Sequence, residues 1–277
     1  MYPELFTLNL PVIGEFTITS FGFLMALAFL AGYMVLRAET ARLDAGRDVA
    51  ADMLLGALIG GIAGAKIYYV LLYWDRTALD PLGMIFSRSG LVWYGGLIGG
   101  FLGVVWMLHR RRVAWGLGVD AIAPAMSLAY GVGRIGCFLV GDDYGRPTDS
   151  FAGMAFPTGL PPSTAGNLRR FGAEVDPALA DTEVLAVHPT QLYETGLSLV
   201  IFFVLWRLRR HPHLQGWLFG LWLALAASER FLVEFFRAKD DRFFGGFTLA
   251  QMISIILCAV GVALVVKLRR RAGEAAV

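Results

Sequence analysis

Residues 119–140 read VDAIAPAMSLAYGVGRIGCFLV. Apart from Asp120 at its start and Arg134 near its end, the run carries no formal charge, and it reaches the roughly 20 residues a helix needs to cross a bilayer. In lipid, backbone N–H and C=O groups must be satisfied within the segment, so a run of this kind is a helix. Six other runs resemble it: Ile18–Leu36, Asp52–Trp74, Gly90–Leu108, Gln191–Leu208, Gly216–Phe236 and Thr248–Val266. The sequence therefore predicts an all-α, polytopic transmembrane helical bundle of about seven spans.

Composition points the same way. The 277 residues are 57% hydrophobic and only 17% charged, with a mean hydropathy of +0.61. A soluble domain carries about 25% charged residues, so lipid is the expected solvent for much of this surface. The net charge of +2 says little about partners, and no nucleic acid is expected. Cys137 and Cys258 both lie in apolar runs, which is neither a disulfide framework nor enough for structural zinc. Four scattered His give no metal-ligand spacing, so neither a metal nor a cofactor is expected. Met1 to Phe16 lacks the basic stretch of a cleavable signal, and the first apolar run reads as a permanent helix.

Charge between the runs sets the orientation. Thirteen Lys and Arg follow the first, third, fifth and seventh spans, among them Arg110–Arg112 and Arg269–Arg271. Eight, including Arg76, Arg88, Arg146, Arg237 and Lys239, are spread over longer sequence on the other side. The positive-inside rule then puts the N-terminus outside and the C-terminus in the cytoplasm. The whole of 1–277 reads as one integral membrane domain, with 142–189 as an extracytoplasmic loop or subdomain within it. Loops this long are usually functional.

Charged residues at bilayer depth cost roughly 2.5–3.5 kcal/mol and are functional by default. Lys66, Asp120, Arg134, Glu194, Glu229–Arg230 with Glu234 and Arg237, and Asp142–Asp143 are of this kind. Each has a plainer alternative. Lys66 could snorkel along its own stem. Arg230 and Glu234, four apart on one helix face, could simply pair. Asp120 could complement a helix N-terminus. Arg134 resists such a reading, because Gly131, Gly133 and Gly136 leave room around it for a ligand. In Tyr94-Gly-Gly-Leu-Ile-Gly-Gly100 the glycines suit close helix packing. In His188-Pro-Thr-Gln-Leu-Tyr-Glu194, Pro189 suits a helix start, while Gln191 and Glu194 share a face. His188 by itself reads as structural. Two buried arginines suit a phosphate, which arginine grips bidentately, and a phospholipid headgroup is the phosphate available at that depth. Composition and spacing leave the chemistry open, and a channel or transporter is weighed against only by the lack of an internal repeat.

Four blocks in order carry a resemblance to a known family. They are Val92-Trp-Tyr-Gly-Gly-Leu-Ile-Gly99, Gly133-Arg-Ile-Gly-Cys-Phe-Leu-Val-Gly-Asp-Asp-Tyr-Gly145, His188–Glu194, and Glu229-Arg-Phe-Leu-Val-Glu-Phe-Phe-Arg237 with Asp240 after it. Together they resemble the prolipoprotein diacylglyceryl transferases of the bacterial inner membrane, over essentially the whole chain. The resemblance implies a reaction in which the lipobox cysteine of a prolipoprotein attacks phosphatidylglycerol, forming a thioether and releasing glycerol phosphate. Membrane lipids and the precursor's signal peptide are the implied partners. It also implies that Arg134 and Arg230 hold the phosphate, with Arg237 in support. Asp142 replaces the family's usual Glu, Glu194 and Glu234 shape the site, and Gly95 and Gly96 contact substrate. Tyr94 stands where the family usually has a His suited to be the general base, and tyrosine, with a free pKa near 10, is a poor base. Cys137 stands for a usual Asn and Phe21 for a common Tyr. Those three changes keep open a divergent homologue that binds lipid or lipoprotein without catalysis.

Overall fold

The computed structural model describes residues 2–10, 14–87, 90–239, 242–244 and 246–274. Arg88 and Asp240, used in the sequence reading, lie outside the described residues. The chain is mostly helical. Seven long helices coincide with the seven apolar runs: α1 (Ser20–Arg42), α2 (Arg47–Leu72), α5 (Trp93–Arg110), α6 (Trp115–Val140), α8 (Thr190–Leu208), α9 (Trp217–Glu234) and α10 (Leu249–Glu274). Between them lie the short helices α3 (Trp74–Leu79), α4 (Pro81–Phe86) and α7 (Ala165–Arg170). Five helices, α1, α2, α6, α8 and α10, are long and apolar enough to cross a membrane among the described residues. Their outward side chains are large and apolar, as at Leu55, Ile59 and Ile62 of α2 or Ile256 and Val262 of α10, which suits a lipid solvent. α1 and α10 continue past their apolar runs to Arg42 and Glu274, because Ala, Arg and Glu are good helix formers once outside lipid.

Among the described residues there are also three two-stranded antiparallel pairings. β1 (Glu4–Leu10) and β2 (Gly14–Thr19) form a hairpin ahead of α1, a feature the apolar pattern did not signal. β3 (Met154–Ala155) pairs with β4 (Ala186–Val187), and β5 (Arg242–Phe244) with β6 (Phe247–Thr248).

The chain divides into two compact units, 1–32 with 122–277, and 33–121. The 33–121 unit is built on a seam of glycines. Gly56, Gly60 and Gly64 of α2 face Gly103, Gly99 and Gly95 of α5 in antiparallel order, and a Cβ added at any of them would collide with backbone of the facing helix. Glycine is required here because the two backbones touch. In the same unit Lys66 is half-buried and hydrogen-bonded. Its Nζ donates to the carbonyls of Met84 (3.3 Å) and Ser87 (2.9 Å) and to Ser87 Oγ (3.0 Å). It thereby caps the last turn of α4, whose carbonyls have no helical partner. Arg111 pairs with Asp52 at the other end of α2.

In the larger unit, the 142–189 segment folds around its own core of Tyr144, Phe156, Leu168, Ala173 and Val187, joined by Ala238. Tyr144 stacks on Phe156 at 5.4 Å between centroids. Burying side chains of this size contributes about 1.5–3 kcal/mol each, enough to hold a small subdomain together without long elements.

Candidate active site

α6 ends at Val140, and the chain reverses through two left-handed residues, Gly141 (φ 73°) and Asp143 (φ 57°). Only glycine adopts such a φ freely, with Asp and Asn the least penalised of the rest. The reversed strand is then stitched to two distant segments. Gly145 N–H donates to the His188 carbonyl, and Arg146 N–H to that of Phe236, both at 2.8 Å. Thr190 Oγ1 donates to the Asp143 carbonyl at 2.7 Å, and Gln191 Nε2 to that of Asp142. Gly145 lies so close to the Phe236 carbonyl that a side chain would not fit. This stitching brings the end of α6, the start of α8 and the end of α9 to one place.

The charged side chains meet there in an alternating series. Arg134 Nε lies 2.5 Å from Glu194 Oε2, and its Nη1 donates to Asp143 Oδ2 at 2.8 Å. The other Asp143 oxygen accepts from Arg237 Nη2 at 2.8 Å. Arg237 Nε lies 3.8 Å from Glu234 Oε2, which pairs with Arg230 Nη1 at 2.5 Å. The series Glu194, Arg134, Asp143, Arg237, Glu234, Arg230 therefore alternates in sign from end to end. Burial makes this alternation necessary. Glu194 is fully buried and Arg134 nearly so, and a buried charge without a partner costs several kcal/mol.

Tyr130 reinforces the series. One turn before Arg134 on α6, its hydroxyl accepts from Arg134 Nε and donates to Glu194 Oε1, both at 3.1 Å. Cys137 Sγ lies 3.6 Å from Arg134 Nη1, and Asp142 lies against the Cys137 thiol. Burial, and then the neighbouring Asp143 charge, push the Asp142 carboxyl above the usual carboxylate range. Burial also acts to raise Asp143, but Arg237 and Arg134 outweigh it and hold that carboxyl below the usual range. Phe21 packs against Gly136, one residue from Cys137.

Seven of the sequence candidates thus gather in the larger unit: Arg134, Cys137, Asp142, Glu194, Arg230, Glu234 and Arg237. Tyr94, Gly95 and Gly96 belong to the other unit, at the start of α5. Gly95 faces Gly64 across the glycine seam, and Gly96 sits more loosely beside Gly61 and Ala65. Their nearest neighbours in that unit are therefore helix backbone. His188 is structural in its contacts, with Nδ1 3.1 Å from the Tyr193 hydroxyl and its ring against Phe236. Asp120 is buried at the first turns of α6.

Sequence reasoning missed Tyr130 and the double partnership of Asp143. It also missed the buried hydrogen bond from Ser198 Oγ to Glu229 Oε1 at 2.7 Å, one turn beyond Glu194 on α8. The signal for Tyr130 and Ser198 was present as spacing, each being four residues from a charge already singled out. A cavity of about 310 Å³ opens beside the series, lined in part by Asp142, Asp143, Tyr144, Phe171 and Arg237. A second cavity, at the far end of α8 between Phe203, Trp206 and Arg207, touches none of these residues.

The geometry can be set beside known proteins. The prolipoprotein diacylglyceryl transferase family matches residues 9–267. A phosphatidylglycerol–prolipoprotein diacylglyceryl transferase of Stenotrophomonas maltophilia is 34% identical over 271 residues, covering 93% of this chain and 90% of that protein. The proteins of the same description from Geobacter sulfurreducens and Chromohalobacter salexigens are each 30% identical. The first alignment covers 94% of both chains, the second 98% of this chain and 95% of the relative.

Proposed function

The chain belongs to the prolipoprotein diacylglyceryl transferase family, and from that premise we propose that it transfers the diacylglyceryl group of phosphatidylglycerol to the lipobox cysteine of a prolipoprotein. The observation that carries the reading is the gathering of Arg134, Arg230 and Arg237 into one partly buried series beside a cavity. Guanidinium groups suit a phosphate diester, which they bind through paired N–H donors.

In the reaction, the thiolate sulfur of the precursor attacks the glyceryl carbon that carries the phosphate ester oxygen. A C–S bond forms, that C–O bond breaks, and its electrons leave with glycerol phosphate. Negative charge grows on the departing phosphate, and fixed positive groups aimed at it stabilise that growth. Arg134 and Arg230, supported by Arg237, serve this role, while Glu194, Glu234 and Tyr130 fix the angles of the arginines. The thiol, with a free pKa near 8.5, gives up its proton before or during attack. Asp142 receives it. Burial makes this carboxylate a stronger base than an ordinary aspartate. Tyr94 stands in the place of the family's His, and tyrosine is too weak an acid-base group to replace it as the base. Gly95 and Gly96 act by holding α5, and Cys137 is a small neighbour of Arg134.

The topology goes with this reading. Seven membrane-spanning helices, with the N-terminus outside and the C-terminus in the cytoplasm of a bacterial inner membrane, agree with the excess of Lys and Arg around the C-terminal ends of α1, α5, α8 and α10. The 142–189 subdomain then lies outside, where a secreted precursor arrives, and covers the mouth of the site.

The test is transfer by purified protein from phosphatidylglycerol to a lipobox peptide, followed by peptide mass. Wild type forms the diacylglyceryl peptide. Arg134→Ala lowers the rate by at least about 10²–10³, the cost of removing one donor to a developing anion. No product beside an active relative would transfer the weight to a divergent homologue that binds lipid or lipoprotein without catalysis, the reading favoured by Cys137 and Phe21 in the surroundings of Arg134.

A further inference from the structure

Asp143 stands apart from its neighbours in the ion-pair series. Glu194 and Glu234 lie on helices and are buried, as partners of buried arginines usually are. Asp143 lies on the reversed loop, with 42% of its side chain exposed. It is held at a left-handed φ of 57°, which a non-glycine residue adopts at some cost. Each of its two oxygens takes one arginine at 2.8 Å: Oδ2 from Arg134 and Oδ1 from Arg237. This is the geometry by which two guanidinium groups grip two oxygens of one phosphate. The cavity beside the series is lined by Asp143 and Arg237 together, so an anion entering there meets the arginine with the carboxylate already on it.

We propose that Asp143 is a built-in competitor, a carboxylate that occupies the anion seat between Arg134 and Arg237 and yields it to a phosphate ester. The inference rests on the proposed reading for the source of that ester, but not for the seat itself. A phosphodiester carries one negative charge, as the carboxylate does, so exchanging one for the other leaves the series balanced. Glycerol phosphate, the leaving product, carries about 1.5–2 negative charges near neutral pH and would otherwise bind the arginines tightly. A carboxylate tethered at the seat re-enters without diffusing and displaces it. The Arg237 and Arg134 charges keep that carboxylate ionised, against the effect of its burial, so it stays a competitor at neutral pH.

The cost to affinity follows from occupancy. A seat closed nine-tenths of the time weakens apparent binding about tenfold. Asp143→Asn keeps the shape and tolerates the left-handed φ, while Asp143→Gly removes the side chain with no strain. The experiment is titration of the full-length, detergent-solubilised protein with glycerol phosphate, read by calorimetry, for wild type and both variants. Binding about tenfold tighter in both variants is expected, with stronger inhibition of transfer by added glycerol phosphate. Unchanged or weaker binding in the two variants would overturn the proposal and leave Asp143 as a brace that holds the arginines apart. Tightened binding in a protein that transfers no diacylglyceryl group would remove the proposed reaction and keep the seat. Normal transfer with no tightening would do the reverse.

Discussion

The α2–α5 pair and the meeting point of α6, α8 and α9 are assembled by opposite means. The first is closed by the absence of side chains, with glycine facing glycine at three successive levels. The second is closed by charge, six alternating groups from four separate stretches of chain. The difference teaches what each region is for. Backbone-to-backbone contact has no slack and no polar surface to offer, so it sets a distance. An ion-pair series can exchange one anion for another of the same charge, so it can receive a ligand.

The sharpest way to separate the two regions is through Asp142, because it belongs to the charged one and is expected to act on the proton of the thiol. Asp142→Asn should lower transfer by about 10²–10⁴, the usual contribution of a general base. In wild type the rate should fall on acidification as Asp142 takes up a proton, and at a higher pH than an ordinary aspartate would titrate, because burial raises this carboxyl. A rate–pH profile of wild type that is flat through the acid range would break the assignment.

Next comes the seam. Gly60→Val should destabilise the protein by about 1–3 kcal/mol or more, as overpacking does in a close-packed interior. Gly196→Ala on α8, where nothing lies within 4 Å of an added Cβ, should leave it unchanged. The fraction staying monodisperse in detergent after heating measures both, and equal survival would show that the seam does not set the distance. The smallest effect is expected at Tyr130. Loss of its hydroxyl in Tyr130→Phe removes the bridge between Arg134 and Glu194, but their direct ion pair remains. About 0.5–1.5 kcal/mol, or up to roughly tenfold in transfer rate, is the expected loss, with little change in stability. A loss as large as that of Arg134→Ala would mean that Tyr130 itself touches substrate.

The two regions also differ in how far the sequence foretold them. The long helices were legible because lipid demands a continuous apolar run, and each run can be read without knowing its neighbours. Arg134 was legible for the same reason, as a charge where charge is expensive. Its partners were not, since Glu194 is brought to it by the stitching of Gly145 to His188 and of Arg146 to Phe236, which is tertiary, and Asp143 by a left-handed reversal of the chain after α6 that no periodicity announces. The glycines of α5 stood out in their tight cluster, whereas Gly56, Gly60 and Gly64 are spaced one turn apart within an ordinary apolar helix. Lys66 looked like a candidate for chemistry and instead caps α4, because the short helix it caps has no apolar signature of its own. The hairpin of β1 and β2 lay ahead of the first span, where hydropathy has nothing to say.

The spacing of the Arg134 partners along the chain has a consequence for how the protein is made. Tyr130 and Asp143 stand four and nine residues from Arg134, so they leave the ribosome almost together with it. Arg237 reaches Asp143 from 94 residues away, and Glu194 reaches Tyr130 from 64. When α6 first enters the membrane, the distant carboxylate does not yet exist, and the buried guanidinium has only its local companions to offset the cost of leaving water. The residue that later disputes the seat with a phosphate is thus the same one that shelters Arg134 while the rest of the protein is still being synthesised.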